Sequence, residues 1–165
     1  MKIHYHSECS FFAGCENMLV NLWDSQDLRE KHDISFSYKA SDLYIEGLKK
    51  RVDCNFPIFP LFLPSLPDML SLPKAFPILI KKILISISRI IFLIPLLIYD
   101  IYVLSRLFRK LKPDIVHINN GGYPASISAR AAAIAAKNVG VPFILMVVNN
   151  LAAEYKGLRW LDYPV

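Results

Sequence analysis

Stretches suited to strands alternate with stretches suited to helices along the whole chain, and that alternation leaves few architectures open. Residues 2–6 and 33–38 alternate apolar and polar side chains, while 114–118 and 143–148 are compact apolar runs. Pro57, Pro60, Pro64 and Pro67 punctuate the stretch between, which has room for one short edge strand around 58–63. Helical spacing begins at Cys15, where Met18, Leu19, Leu22 and Trp23 share a face. Asp24 and Ser25 mark a break and a new cap, and a second short helix runs to about His32. Residues 43–51 are amphipathic, and 73–112 form a long helical region that Pro95 should kink or split. The alanine-rich run 125–139, with Pro124 before it and Gly140 after it, is a strong helix former. Apolar strands without polar alternation, such as 143–148, call for a parallel sheet covered on both faces. The expectation is one open, doubly wound parallel α/β sheet of about five strands.

Composition narrows the setting. At 54 % hydrophobic and 20 % charged residues, the chain has ample material for a core and is no candidate for disorder. Cys9, Cys15 and Cys54 are an odd, scattered set that fits a reducing compartment better than a disulfide framework. The first eight residues carry histidines and polar groups where a secretory leader would carry an apolar run, so no such leader is expected.

The net charge of +5 is unevenly held. Residues 74–112 contain eight basic side chains and one acid, Asp100, for +7, and the rest of the chain is −2. All the excess positive charge thus sits on the most apolar segment. A nucleic-acid face pairs basic residues with polar neighbours, so nucleic acid is excluded as the partner. An anionic bilayer surface attracts both features. The longest charge-free run there, residues 90–99, is ten residues, against the roughly twenty that a bilayer core requires. Lys82, Ser86, Arg89 and Asp100 recur at helical spacing as a narrow polar stripe beside a broad apolar face. Interfacial attachment at the cytoplasmic side of a membrane is the favoured reading; a covered core helix and a true span are the other two.

In open parallel sheets ligands sit beyond the carboxyl ends of the strands, where the winding reverses. With strand order 3-2-1-4-5 that point lies between the strands at 2–6 and 114–118. Their exit loops, 7–16 and 119–123, bring Gly14, Gly121 and Gly122, which permit positive φ and close backbone approach. Both open onto helices, whose first N–H groups favour anions. A phosphate-bearing ligand is the natural guest. Gly14 lacks the glycine spacing of a dinucleotide fingerprint, and Glu16 reads either as a ligand contact or, more simply, as a cap on its own helix.

The segment Lys112-Pro-Asp-Ile-Val-His117, taken with Gly14-Cys15-Glu16 after the first strand, resembles glycosyltransferase family four. Ala13 stands where that family's first loop has a glycine, and Asn119 stands at a second histidine position. The resemblance runs along nearly the whole chain and is specific mainly at 9–17 and 112–150. It implies the N-terminal, Rossmann-like half of a GT-B fold, transferring sugar from a nucleoside-diphosphate donor to a membrane-associated glycan or lipid-linked acceptor. No cofactor is implied, since the nucleotide sugar is a substrate. The donor-binding C-terminal half would be absent, so little activity is expected of this chain alone. A non-catalytic recruiting subunit that pairs with a separate chain, and an inactive truncated product, are the rival expectations.

On this reading His117 is the catalytic candidate, against a place as a satisfied core histidine. Gly14, Glu16, Asn119, Asn120, Gly121, Asn149 and Asn150 are the candidates for donor or acceptor binding, with plain turn formation the alternative for the last two. Tyr155, Lys156 and Arg159 could border the cleft. His4, His6 and Cys9 could bring two imidazoles and a thiol together, but a metal would need a fourth donor, and none is expected.

Overall fold

The computed structural model describes residues 1–9, 11–12, 14–23, 25–51, 56–65, 77–120 and 127–148, leaving aside the side chains of Lys81, Lys82, Arg89 and Asn120. Its elements run β1 (Lys2–Ser7), α1 (Gly14–Trp23), α2 (Gln26–Lys31), β2 (Asp33–Lys39), α3 (Asp42–Arg51), β3 (Ile58–Leu61), α4 (Ile78–Leu111), β4 (Ile115–Asn120), α5 (Ile127–Asn138) and β5 (Phe143–Val148). The strands make one five-stranded sheet in the order β3-β2-β1-β4-β5, and every pairing is parallel. This is the expected Rossmann-like, doubly wound arrangement, with the winding reversed between β1 and β4.

Two cores, one on each face of the sheet, hold it together. On the first face Tyr5, Ile34, Phe36 and Tyr38 meet Leu19, Val20 and Trp23 of α1 and Tyr44 and Leu48 of α3. Their aromatic rings pack closely, with Tyr38 stacked on Tyr44 at 4.7 Å and Trp23 tilted on Phe36 at 4.4 Å. On the second face Val116 and Ile118 meet Leu104 and Phe108 of α4 and a run of α5 alanines. Ala129, Ala131, Ala132, Ala135 and Ala136 are all buried, and their small side chains let α5 lie close to both the sheet and α4.

Three local expectations need correction. Pro95 neither splits α4 nor ends it, for one helix runs from Ile78 to Leu111. The proline is exposed, so its missing N–H and bulky ring face away from the packed side. Lys112, at φ 48, closes the helix in the left-handed region just before Pro113. Asp100 does not belong to a wet stripe. It is buried against the domain, and the outward face of α4 is the apolar one. Finally, β5, expected to be a covered strand, exposes Phe143, Leu145 and Val148. The inner strands β1 and β2 are the covered ones, although they carry histidines and serines.

Candidate functional site

The register of β1 decides where its side chains go. His4 and His6 point to the α4–α5 face, Tyr5 and Ser7 to the α1–α3 face, and the strand pairs with β2 on one side and β4 on the other. Ser7 lies level with Asn119 at the carboxyl edge. From α1, Glu16 reaches into this corner. Ser7 Oγ donates to its Oε1 at 3.1 Å, and Asn119 Nδ2 donates to the same oxygen at 3.4 Å. One buried carboxylate thus ties the ends of β1 and β4 to the first turn of α1. The expected coincidence of the two strand exits at one place is present in the fold.

Gly14 is the first residue of α1, and a Cβ built there meets nothing within 4 Å. It does not use positive φ, which among the described glycines belongs to Gly140. What Gly14 offers is open space at a helix N-terminus, where backbone N–H groups and the helix dipole favour an anion. Cys9 lies beside this corner. Burial and the nearby Glu16 carboxylate push its thiol up, so it is not a thiolate nucleophile.

His117 lies one pleat below Asn119 on the same face of β4. It is half-buried, its ring is 5.1 Å from Tyr5, and burial lowers its pKa, so it is a neutral imidazole at pH 7. Asn120 ends β4, with its side chain outside the described set. Gly121, Asn149 and Asn150 lie outside the described residues, as do Gly122, Tyr155, Lys156 and Arg159.

The other side of β1 holds His4 and His6, weighed from sequence as metal ligands, together with serine partners that sequence reasoning passed over. Ser35 Oγ lies 2.8 Å from His4 Nδ1, His4 Nε2 lies 2.8 Å from Ser37 Oγ, and Ser37 Oγ lies 2.9 Å from His6 Nδ1. His6 Nε2 then approaches Ser128 Oγ at 3.4 Å. Desolvation lowers His4 to about 3, helped by His6, and His6 to about 4, so both rings are neutral parts of a polar layer. They are hydrogen-bonded to serines, and among the described residues no cluster of histidine, cysteine and carboxylate could hold a metal ion.

At the carboxyl end of this layer stands a group of charges. Glu8 Oε2 accepts from the backbone N–H of Ala129 at 3.3 Å, in the first turn of α5. Lys39 Nζ donates to Ser65 Oγ at 2.9 Å, and Arg130 and Asp100 are buried alongside. Burial pushes Glu8 up to about 7 against the opposing pull of the Ala129 N–H and of Lys39 and Arg130. Burial likewise takes Asp100 up to about 7, with Glu8 adding to it, and among the described residues Asp100 Oδ1 has no hydrogen-bond partner. Alternation alone could have pointed to Glu8, which follows His4 and His6 at period two. Its meeting with Asp100 across ninety-odd residues had no local signal.

Two cavities among the described residues lie at the opposite, amino-terminal edge of the sheet. The larger, about 620 Å³, is lined by Lys2, Arg29, His32, Phe56 and Lys110 among others. The second, about 370 Å³, lies between Phe108 and Pro142. Neither touches the strand exits, where ligands of this architecture bind.

The fold defines a class, that of Rossmann-like α/β domains whose parallel sheet reverses its winding between β1 and β4. No protein-family model matches the chain, and no curated protein matches it in sequence. Among solved structures it is similar to UDP-GlcNAc 2-epimerase from Neisseria meningitidis bound to UDP-GlcNAc, which has a GT-B-like fold. The two agree with a TM-score of 0.54 at 14 % identity, over 99 % of this chain and 36 % of that one. The likeness is one of fold, and the chain spans well under half of that protein.

Proposed function

We propose that the chain is the acceptor-side half of an enzyme that transfers sugar from a nucleoside-diphosphate donor to a glycan or lipid-linked acceptor. The observation that carries this reading is the corner at the β1/β4 switch, where Glu16 binds Ser7 and Asn119 together beside the open space at Gly14. An anion approaching there meets the N-terminus of α1 at a residue that has no side chain of its own. Of the residues resembling glycosyltransferase family four, Gly14 and Glu16 fall at this corner and His117 one pleat below it, while Lys112, Pro113 and Asp114 lie at the other end of β4. A solved structure of the same fold carries a nucleotide sugar.

In this reading the first turn of α1 supports the diphosphate, while His117, Asn119 and Asn120 face the reacting sugar or the acceptor hydroxyls. Gly121, Asn149 and Asn150 would complete the wall. A departing diphosphate needs its charge neutralised from both sides of the cleft. A second, donor-binding domain supplies the other side, whether on the same polypeptide or on a separate chain.

Gly14→Val tests the site. The new side chain enters open space, so the fold is unchanged by circular dichroism. In the two-domain enzyme it stands where the diphosphate lies, and kcat/KM should fall by roughly two orders of magnitude or more. Transfer at the wild-type rate would remove the α1 N-terminus from the mechanism.

A further inference from the structure

The outward face of α4 is the largest feature that the crevice does not use. The inward side of this helix is complete in itself: Leu93, Leu96, Asp100, Leu104 and Phe108 recur at three-and-four spacing and are all buried. Opposite them, Ile87, Ile91, Ile94, Ile98 and Tyr102 recur at the same spacing and all lie exposed, Ile94 at 62 % and Ile98 at 61 %. Soluble proteins scatter single apolar residues over their surfaces, whereas a continuous ladder of isoleucines marks a surface that is normally covered.

The order of chemistry along this face indicates what covers it. Isoleucine gives way to Tyr102, whose ring lies 5.8 Å from the Arg106 guanidinium, and then to Arg106 and Arg109, both exposed. Aliphatic, then amphipathic aromatic, then cation is the sequence of environments from acyl chains through the interface to lipid phosphates. A protein partner would have to match the same gradient and also neutralise its basic end. The charge bias of the chain agrees, with +7 on residues 74–112 and −2 elsewhere. Residues 90–111 are apolar enough to pass as a membrane span, but their inward side is packed on the domain, so this helix can bury only its outer face.

We propose that the exposed isoleucine face of α4, ending in Tyr102, Arg106 and Arg109, is a docking surface for an anionic phospholipid bilayer. The helix is tilted at the interface, its isoleucines dipping among the acyl chains and its two arginines at the phosphates. The carboxyl edge of the sheet stays in water. Docking is independent of the glycosyl-transfer reading, and either can fail without the other.

Density-gradient flotation of the chain decides it, using vesicles of phosphatidylcholine alone and vesicles also containing phosphatidylglycerol. The chain should float with the anionic vesicles, less with the neutral ones, and less as salt is raised. Ile94→Glu combined with Ile98→Glu alters only exposed positions, so it should abolish flotation while leaving the urea-unfolding midpoint in place. Arg106→Gln combined with Arg109→Gln should lower partition into anionic vesicles roughly fivefold per charge removed and leave neutral vesicles unaffected. Failure of the wild type to float on either vesicle overturns the proposal, as does undiminished flotation of the double glutamate variant. Resistance to alkaline carbonate extraction would make the segment a span and also overturn it. Sedimentation showing a dimer that the glutamate variant dissolves would assign the face to a second copy of the chain.

Discussion

Glu16 shows what one side chain does when it joins three elements. A buried carboxylate that accepts from neutral donors gains from each hydrogen bond, and its removal strands the donors in a site closed to water. Glu16→Ala is therefore expected to cost about 2–3 kcal/mol in urea unfolding, and Asn119→Ala about 1 kcal/mol. Because both residues meet at one oxygen, the double variant should show a coupling of about 0.5–1.5 kcal/mol. Additive single costs would mean that the two strand ends are held independently and that Glu16 merely sits beside them. The residue itself was legible as a first-turn acid of α1. Its partner was not, since 103 positions separate Glu16 from Asn119 and only the strand order brings them together. Asn119 was nonetheless marked, because it opens the loop that leaves the fourth strand at the point where the winding reverses.

Gly47 of α3 does for a whole element what Gly14 does for a ligand. A Cβ at Gly47 would collide with Phe12 Cβ, close to the backbone of the β1–α1 loop, and Phe12 packs edge-on against Tyr44 at 5.8 Å. The loop after β1 is thus seated directly on α3. Gly47→Ala should gain a few tenths of a kcal/mol in helix propensity and lose more to the clash, for a net destabilisation of about 1–2 kcal/mol. Adding Phe12→Gly should relieve the clash. If Gly47→Ala is as stable as wild type, the loop has room to move, and α3 does not set its position. Elements were read from sequence with uneven success, for physical reasons. β1, β2, β4, α1 and α5 declared themselves by period or by alanine content, and their order followed from winding rules. Pro95 suggested a kink or a split, and the helix is not split; the sequence does not say that the proline lies on the solvent side of a helix packed on its other flank. The Ser-Phe-Ser-Tyr run of β2 was legible as a strand but not as part of a buried layer, because alternation cannot tell water from a layer of histidine and serine. Asp100 suggested solvent for the same reason, as a lone acid among isoleucines.

At the scale of the whole molecule four buried polar groups, Glu8, Asp100, His4 and His6, set the dependence of stability on pH. Glu8 and Asp100, raised to about 7, keep their protons in the folded chain where the unfolded chain has released them. Their contribution is full below about pH 4, where both states are protonated, and is lost as pH rises through about 7. His4 and His6, lowered to about 3 and about 4, refuse protons that the unfolded chain accepts below about pH 6.5. Their contribution is full above that value and is lost as pH falls toward about 4. Between about pH 4.5 and 6.5 the folded chain holds two carboxyl protons while the unfolded chain holds two imidazole protons, so the opposing slopes nearly cancel. Urea unfolding should therefore give a plateau across that window and weakening toward pH 8. Asp100→Asn separates the terms, because asparagine keeps the shape, brings a donor to the corner with the unpartnered Oδ1, and cannot ionise. Relative to wild type the variant should gain about 1–2 kcal/mol between pH 5 and pH 8, a figure reduced for partial screening by water. An equal stability difference at both values would mean that Asp100 is charged in the fold at pH 5 as well, and that Lys39 neutralises it outright. In that case α4 would be held to the sheet by an ion pair, and raising the pH would not loosen the helix that carries the isoleucine face.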